Sequence, residues 1–381
     1  MTGRDAEGLD VVVTGLGVTS AFGRGTETLR QALATSRPAF GPVGRFAADR
    51  YRTGTAAVLP GSPDLDEELH RVVAEALDQA GLTPRERAQA PLLLGRHADP
   101  AVARRPLAAQ GKTAVSDTAA ELVAACGLRE AARTYTNACV AASTALFEAA
   151  SRIRTGRETR IVVCAGYLVD EDNFALFSAG RALAPDGVLR PFSADRRGLL
   201  LGDGVGAVVL ESSAAAAARG ARPLAVLSGW GMAGDAYHVC QPHPEGLGMA
   251  RAIGSALAKA GLTATDIGYV NAHGTGTPHN DAAESAALHR ALGEWAAGTP
   301  VSSTKSLHGH CLEASGMLEL AVSLLALRHG ELPVNAGYLG PDDACRLDLV
   351  LGEPRKADVR HVLSLNAAFG GANTALVVST P

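Results

Sequence analysis

The stretch TYTNACVAASTAL, residues 134–146, places a cysteine where a predicted strand meets a predicted helix. β-Branched and aromatic residues lead up to Cys139, and an alanine-rich segment suited to a helix follows at once. At a helix start, the positive end of the helix dipole and the free N–H groups favour a thiolate and can stabilise an oxyanion beside it. A buried cysteine that only packs produces the same local pattern, so Cys139 alone does not decide between a structural and a catalytic role.

Short segments rich in β-branched residues recur along the chain and indicate buried strands. They are residues 10–17, 91–95, 133–138, 160–166, 204–211, 222–231, 267–274, 300–305, 359–367 and 373–380. Helical patterns such as Glu67–Ala80 alternate with them, which predicts an α/β fold with a mainly parallel sheet covered by helices. The strands form two series that divide near residues 212–222, and we interpret these as two lobes of one body, 1–215 and 216–381.

The composition is that of a globular protein and argues against several functions. The chain has 381 residues, 47% of them hydrophobic and 19% charged, which suffices for two ordinary domains or one large one. The net charge of -4 argues against nucleic-acid binding. No apolar run approaches the roughly 18 residues of a membrane span, and the first ten residues lack an apolar signal segment. The six cysteines are scattered, which predicts free thiols in the cytoplasm.

Two further clusters carry groups capable of chemistry. NAHGTGTPHND, residues 271–281, places His273 at the end of a predicted strand. This stretch lacks the Gly-Lys-Ser/Thr ending of a P-loop, and its glycines lack the spacing of a dinucleotide site. Both observations argue against nucleotide binding. SSTKSLHGHCLEASG, residues 302–316, brings one lysine, two histidines and a cysteine together before an apolar helix. Residues 310 and 311 point apart in most backbones and no second ligand pair has zinc spacing, so we predict no metal.

The clusters together match a known pattern. TNACVAAS, NAHGTGTP, STKSLHGH and AAFGGAN occur in the order and approximate spacing seen in β-ketoacyl synthases. The sequence resembles the branch with one cysteine and two histidines, which comprises fatty-acid elongation synthases II and type II polyketide ketosynthases. The resemblance extends to residues 190–211 and to VVVTGLGVTSAFGRG near the N-terminus. It implies the thiolase fold, in which duplicated five-stranded mixed sheets stack in α-β-α-β-α layers.

The resemblance also implies roles for individual residues. Cys139 would take an acyl group from a phosphopantetheine thioester, and His273 and His310 would donate N–H groups to the enolate formed when malonyl on an acyl carrier protein loses carbon dioxide. The other implied residues are Lys305 with its ion-pair partner Glu319, the supporting carboxylates Asp281 and Glu284, Thr275 and Thr277 for the pantetheine arm, and Phe369, a gating residue whose backbone N–H shares the oxyanion hole with that of Cys139. No permanently bound cofactor is expected, because the substrates arrive on the carrier's phosphopantetheine.

The implied partner is an acidic acyl carrier protein, for which Arg196 and Arg197 are the docking candidates. The family further implies a homodimer, with a heterodimer containing a chain-length factor as the alternative. Residues 96–113 are a shorter segment than family members usually carry, which leaves the acyl pocket and the dimer partner open. Two extra histidines near the site, His279 and His308, are expected to be solvated loop residues.

The leading hypothesis is decarboxylative condensation on carrier-bound chains, in fatty-acid or type II polyketide biosynthesis. One alternative is an acyltransferase that uses the same acyl-cysteine without condensation. Another is a non-condensing partner like a chain-length factor, although the retained cysteine, histidines and lysine favour catalysis. No nucleic acid or membrane partner is expected.

Overall fold

The computed structural model describes residues 9–97 and 114–381. The main strands of its central sheet each overlap a strand predicted from the sequence. They are β1 (Val11–Ser20), β2 (Leu92–Gly95), β3 (Ala131–Tyr135), β4 (Arg160–Tyr167), β5 (Gly204–Ser212), β6 (Ala225–Gly234), β7 (Tyr269–Asn271), β8 (Pro300–Ser302), β9 (His361–Ala368) and β10 (Ala372–Ser379). Shorter strands are Gly23–Arg24, Phe40–Pro42, Thr55–Ala57, Glu331–Leu332, Asp348–Leu349 and Arg355–Lys356.

The longer helices alternate with these strands, as the sequence pattern predicts. They are α1 (Thr26–Thr35), α2 (Leu65–Ala80), α3 (Ala114–Cys126), α4 (Ala141–Arg154), α5 (Glu171–Ala179), α6 (Leu247–Ala260), α7 (Pro278–Leu292) and α8 (Ser315–His329). Short helical turns are Pro84–Arg87, Ala138–Val140, Ser213–Ala218, Ala264–Asp266, Gly293–Ala297, Lys305–His308, Leu312–Ala314 and Asp343–Cys345. Local signals set the helix ends: the Asp64 side chain accepts two N–H groups before α2, and Gly81 ends that helix at φ 67°.

The strands form two sets with the same topology. The first five lie in the order β3-β2-β4-β5-β1, and the last five lie in the matching order β8-β7-β9-β10-β6. In both sets the first two pairings are parallel and the last two are antiparallel. This repetition confirms the duplicated five-stranded mixed sheets. The mainly parallel sheet predicted from the alternation of strands and helices is wrong, because half of the pairings in each set are antiparallel. Strands β1 and β6 pair over Val11–Val13 and Ala225–Leu227, which joins the sets into one hydrogen-bonded path. The lobe boundary at 215/216 stays a prediction.

Helices lie outside and between the two strand sets. Helices α2 and α3 cover the first set, α6 and α7 cover the second, and α4 and α8 lie between them. Residues 315–324 of α8 are all buried, as expected for a helix surrounded by other elements. The result is the α-β-α-β-α layering that the resemblance implies.

Paired glycines allow the outer helices to approach the sheet closely. They are Gly15 and Gly17 on β1, beneath α2, and Gly229 and Gly231 on β6, beneath α6. A Cβ at any of these positions would lie 2.0 to 2.1 Å from a carbonyl oxygen of the covering helix. The same contact therefore occurs in both halves, because each covering helix packs its backbone directly against a strand that has no side chain there.

The duplication brings the sequence clusters together at the centre. Counted along the chain, the third strand of each set is β3 or β8. It leads through a short irregular segment into a central helix, α4 or α8. Cys139 lies in the first of these segments, and Lys305 and His310 lie in the second. His273 follows β7, which is paired with β8. Equivalent positions of the two halves therefore supply the nucleophile candidate and its neighbours.

Candidate active site

Cys139 lies in the helical turn Ala138–Val140, directly before α4 begins at Ala141. This is the strand-to-helix position that the sequence predicts. Ala138 adopts φ 53°, a left-handed backbone conformation that is uncommon for a residue with a side chain. Cys139 is only 6% exposed, and its Sγ lies 3.1 Å from Nε2 of His310. The tight turn thus directs the thiol toward an imidazole on the opposite half of the fold.

The burial of Cys139 opposes the thiolate that a helix start favours. Burial raises the pKa of the Cys139 thiol to about 12, and the nearby charge of Glu313 raises it further. The charge of Lys305 and a backbone hydrogen bond oppose this rise without overcoming it. The loss of hydration therefore outweighs the helix start, because a charged sulfur in a closed site has little water around it. Cys139 rests as a thiol whose proton must be removed during reaction.

The two histidines face each other across the site. The ring centroids of His273 and His310 are 5.4 Å apart, with the ring planes 85° apart. Burial lowers the pKa of both well below the usual value, and the charge of Lys305 lowers it further. Both rings are therefore neutral near pH 7, and each carries one N–H. Nδ1 of His310 lies 3.0 Å from Oγ of Ser315, whereas Nδ1 of His273 is buried without a hydrogen-bond partner.

Two carboxylates hold the His273 loop from behind. Glu284 accepts the backbone N–H groups of His273 at 2.6 Å and Gly274 at 2.7 Å. Asp281 accepts the N–H of Gly276 at 3.2 Å. Burial raises the pKa of Asp281 to about 6 and that of Glu284 to about 7, although these hydrogen bonds oppose the rise. Their contacts are to the loop backbone, which agrees with the supporting role expected for them.

A buried polar chain links the lysine to the cysteine's helix. Lys305 forms an ion pair with Glu319, and both side chains are inaccessible to solvent. Asn366 donates from Nδ2 to the same carboxylate and accepts a hydrogen bond of 2.6 Å from Ser143 on α4. Burial raises the pKa of Glu319, and Lys305 opposes that rise. The charge of Lys305 therefore acts on both histidines at a depth where water screens it poorly.

A cavity of about 470 Å³ leads from the surface to the thiol. It is lined by Cys139, Phe177, Gly180, Arg181, Ala182, Arg197, Gly198, Leu199, Asp235, Cys240, Gln241, Pro242, His273, Thr275, Thr277, Pro278, His279, Asn280, His310, Ala367, Ala368, Phe369 and Asn373. Thr275 and Thr277 place their hydroxyls 2.8 Å apart on its wall. Phe369 is 52% exposed and stacks on Phe177 with ring centroids 5.8 Å apart. The cavity therefore combines two hydroxyls with an exposed aromatic side chain.

The structure overturns two expectations about basic side chains. Arg196 is buried and forms an ion pair with Asp342, and it also donates to the carbonyls of Ser193 and Pro278. It is therefore unavailable to an acidic partner, so the docking prediction is wrong for Arg196. His308, expected to be solvated, is buried with its ring nitrogens against the protein interior.

Arg197 and His279 remain exposed at the cavity, as expected. Residues 98–113, most of the short segment 96–113, lie outside the described residues. The expectation that this segment affects the acyl pocket or the dimer partner therefore stays a prediction.

Sequence reasoning missed three polar residues of the site. Ser315 contacts His310, and Asn366 contacts Glu319. The charge of Glu313 raises the pKa of the Cys139 thiol. Two of them fall within the quoted cluster 302–316, and their polarity directly before a buried helix was the available signal. Asn366 lies on β9, 47 residues beyond Glu319, and only the tertiary structure relates it to the site.

Within residues 9–97 and 114–381, no group of three or more histidine, cysteine or carboxylate side chains could hold a metal ion. The same part of the chain contains no helix that is both long and apolar enough to cross a membrane.

Comparison with known proteins identifies the family. The model of the β-ketoacyl synthase N-terminal domain matches residues 64–216, and that of the C-terminal domain matches residues 224–338. Nodulation protein E of Rhizobium meliloti is 35% identical, with 96% of this chain and 98% of the relative covered. Putative polyketide beta-ketoacyl synthase 1 of Streptomyces halstedii is 36% identical, with 97% and 98% covered.

Solved structures agree with these sequence matches. The ishigamide ketosynthase/chain length factor superimposes with a TM-score of 0.89 at 31% identity, over 98% of this chain and 99% of that one. A type II polyketide acyl carrier protein in complex with its ketosynthase, bound to the hexaketide, gives a TM-score of 0.89 at 25% identity, with 98% and 99% covered. With both domain models matched in order and nearly the whole length aligned, the chain belongs to the β-ketoacyl synthase family.

Proposed function

We propose that the chain condenses acyl groups with malonyl units on an acyl carrier protein, using Cys139 as nucleophile and His273 and His310 as donors to the enolate. The observation that carries this proposal is the contact of 3.1 Å between His310 Nε2 and the Cys139 Sγ, with a second neutral imidazole perpendicular to the first. A buried thiol beside a base supports acyl transfer, and two neutral N–H donors facing one point support decarboxylation.

In the first step, Sγ of Cys139 attacks the carbonyl carbon of an acyl thioester on phosphopantetheine. The new S–C bond forms as the bond to the carrier's sulfur breaks. Nε2 of His310 accepts the thiol proton and passes it to the departing thiolate, so that both groups end neutral. The Ser315 hydroxyl accepts a hydrogen bond from Nδ1–H of His310 while Nε2 serves as the acceptor.

In the second step, malonyl thioester enters and its C–C bond to the carboxylate breaks. Carbon dioxide leaves, and the electron pair moves into an enolate whose oxygen carries the charge. Between the two steps His310 exchanges protons with solvent, losing the one on Nδ1 and gaining one on Nε2. His273 and His310 then donate N–H groups to that oxygen, and the Ser315 hydroxyl donates to the free Nδ1 of His310. The buried Lys305 contributes a positive field beneath both rings.

The enolate carbon then attacks the acyl carbonyl on Cys139, and the C–S bond breaks with its electron pair on sulfur. The chain leaves extended by two carbons, and the Cys139 thiolate takes up a proton from solvent by way of His310. The backbone N–H groups of Cys139 and Phe369 stabilise the oxyanion of this step. Thr275 and Thr277 bind the pantetheine arm, and Glu319, Asp281 and Glu284 hold the surrounding loops through the contacts described above. No permanently bound cofactor takes part.

The partner is an acyl carrier protein, by extension from the solved ketosynthase complex with its carrier. Because Arg196 is buried, the docking role is assigned to Arg197 together with Arg181, both exposed at the cavity mouth. The acidic carrier would meet these side chains as its pantetheine enters. We extend the assembly in the same way, to a homodimer or a heterodimer with a chain-length factor, in the cytoplasm.

The test follows Cys139 by mass spectrometry after incubation with an acyl carrier and then with malonyl carrier. We expect an acyl adduct on Cys139, carbon dioxide release, and a product two carbons longer. Cys139→Ala should abolish the adduct, and His310→Ala should abolish primer-dependent carbon dioxide release. Acyl transfer to another acceptor without carbon dioxide release would instead establish the acyltransferase alternative. No adduct on Cys139 would favour the non-condensing partner.

A further inference from the structure

The buried carboxylate of Glu319 has two side-chain partners, and only one of them is the lysine of the site. One carboxylate oxygen pairs with Nζ of Lys305, and the other accepts a hydrogen bond from Nδ2 of Asn366. Glu319 and Lys305 are fully buried, and Asn366 is 3% exposed. At this depth no water replaces a partner that is lost, so each bond to the carboxylate matters for its charge. The asparagine therefore helps to hold the ion pair together.

The surroundings of Asn366 fix the orientation of its amide group. Its Oδ1 accepts a hydrogen bond of 2.6 Å from the hydroxyl of Ser143, and its Nδ2 faces the carboxylate of Glu319. The opposite orientation would turn Oδ1 toward the carboxylate, where two acceptors repel each other. Gly316 of α8 lies against this pair, since a Cβ there would be 2.3 Å from Oγ of Ser143 and 3.0 Å from Oδ1 of Asn366. The amide is thus held between β9, α4 and α8.

The Ser143–Asn366 pair lies next to the reacting groups without touching the entrance cavity. Ser143 lies on α4, four residues after Cys139, and Asn366 lies on β9, three residues before Phe369. Neither Ser143 nor Asn366 lines the cavity, so both act only through the groups that they hold. The group at the end of the chain is Lys305, whose charge lowers the pKa of both histidines of the site.

We propose that Asn366, oriented by Ser143, is a positioning residue for decarboxylation. It holds the carboxylate of Glu319 in its ionised form, and the carboxylate in turn keeps the ammonium of Lys305 beside the two histidines. This inference rests on the proposed function, because it concerns the step that releases carbon dioxide. A fixed ammonium stabilises the negative charge that develops on the enolate oxygen without having to move during the reaction.

The ionisation of Glu319 is the property that Asn366 supports. Burial raises the pKa of Glu319 to about 7, and the charge of Lys305 and the hydrogen bonds from Lys305 and Asn366 oppose that rise. Burial also raises the pKa of the other groups on which the charge of Glu319 acts, so they are neutral near pH 7. These groups are Cys139, Tyr269 and Cys311. Among them, Glu319 is therefore the group that changes its charge near neutral pH.

The test measures carbon dioxide release from malonyl-pantetheine, with butyryl-pantetheine as primer, by the full chain between pH 6 and pH 9. Asn366→Leu removes the donor, so the acid limb of the rate profile should move up by about one to two pH units, the value of a hydrogen bond to a charged group. At pH 7 this shift corresponds to a loss of about fivefold or more. The rate relative to the parent protein should recover as the pH rises.

Asn366→Asp should show the opposite pH dependence. Its carboxyl group can donate to Glu319 only while it is protonated, and it places a second negative charge beside Glu319 when it ionises. The rate relative to the parent protein should therefore fall as the pH rises. Glu284 also has a pKa of about 7, but it is present in every variant and cancels in these ratios. A purely structural defect at position 366 would lower both variants without opposite pH dependences.

Two further variants complete the experiment. Ser143→Ala removes the hydroxyl that orients the amide and should slow carbon dioxide release about threefold to tenfold, which tests the proposal even if the substitutions at position 366 prevent folding. Asn335→Asp is the matched control, because Asn335 is equally buried but its amide contacts only the backbone of Ser303 and Pro191. Its pH profile should follow that of the parent protein.

Acylation of Cys139 by butyryl-pantetheine, followed by intact-mass spectrometry, separates the outcomes. It should change less than carbon dioxide release in the variants at position 366. The proposal is overturned if both steps fall equally, if the two variants show the same pH dependence, or if Asn335→Asp reproduces the profile of Asn366→Asp. Unchanged carbon dioxide release in all these variants also overturns it, and the proposed function then stands. If the parent protein neither acylates Cys139 nor releases carbon dioxide, the proposed function fails and the positioning role fails with it.

Discussion

The buried thiol of Cys139 leads to a measurable prediction about its reactivity. An ordinary cysteine is partly ionised at neutral pH, and only the thiolate reacts with an alkylating reagent. Burial raises the pKa of Cys139 to about 12. We therefore propose to measure the alkylation rate of Cys139 at a series of pH values, in the parent protein and in Glu313→Gln. This substitution removes the anionic neighbour while keeping the shape of its side chain.

The magnitude follows from the ionised fraction. At pH 7 a thiol with a pKa of about 12 has roughly one molecule in 10⁵ as thiolate, whereas an unperturbed thiol with a pKa of about 8.5 has roughly three in a hundred. Cys139 should therefore react about three thousandfold more slowly than a free thiol, before any steric hindrance. Its rate should rise about tenfold per pH unit without reaching a plateau below about pH 9.

The assay is peptide mass spectrometry of Cys139 after timed exposure to iodoacetamide. Because Cys240 is exposed at the same cavity, the series is run in a Cys240→Ser background. Glu313→Gln should raise the rate at every pH below the plateau, since removing the nearby negative charge lowers the pKa of the thiol. His310→Ala shows whether the imidazole at 3.1 Å assists the reaction.

A plateau at or below about pH 8 would refute the reasoning, because it would show that the helix start and Lys305 outweigh the cost of burying the charge. If that plateau disappeared in His310→Ala, the thiolate would exist as an ion pair with the imidazolium. An unchanged rate in Glu313→Gln would remove Glu313 as a cause of the high pKa.

Three further predictions concern the residues around the thiol. Lys305→Met leaves Glu319 buried without its cation and should lower the free energy of unfolding, measured in urea, by about 3–5 kcal/mol. The double variant Lys305→Met with Glu319→Gln should recover part of that loss. Equal free energies of unfolding for the single and the double variant would contradict this. Ser315→Ala removes the hydrogen bond to Nδ1 of His310 and should slow carbon dioxide release about tenfold. An unchanged rate, measured with malonyl carrier, would exclude Ser315 as a positioning residue. Burial raises the pKa of Glu284 from its ordinary value of 4.5 to about 7, so the folded state binds this proton more tightly and the unfolding free energy should fall as pH rises between those values. Glu284→Gln should flatten that fall in urea unfolding at a series of pH values, and an identical slope would count against the raised pKa.

The order of the strands and helices along the chain is a property that the sequence determines by itself. Periodicity and end signals are local, so β-branched runs predict where strands lie and a glycine such as Gly81 predicts where a helix ends. The motifs around Cys139, His273 and His310 also lie within short stretches, and their resemblance to a family extends to the ion pair of Lys305.

The tertiary structure alone decided three other properties. The strand order of the two halves depends on pairings between residues far apart, such as Val11 with Leu227. Arg196 became an interior residue because Asp342, distant in sequence, lies within reach of it. The high pKa of Cys139 depends on how much water the surrounding elements exclude. No local pattern encodes that quantity, because desolvation is the sum over every element that packs around the sulfur.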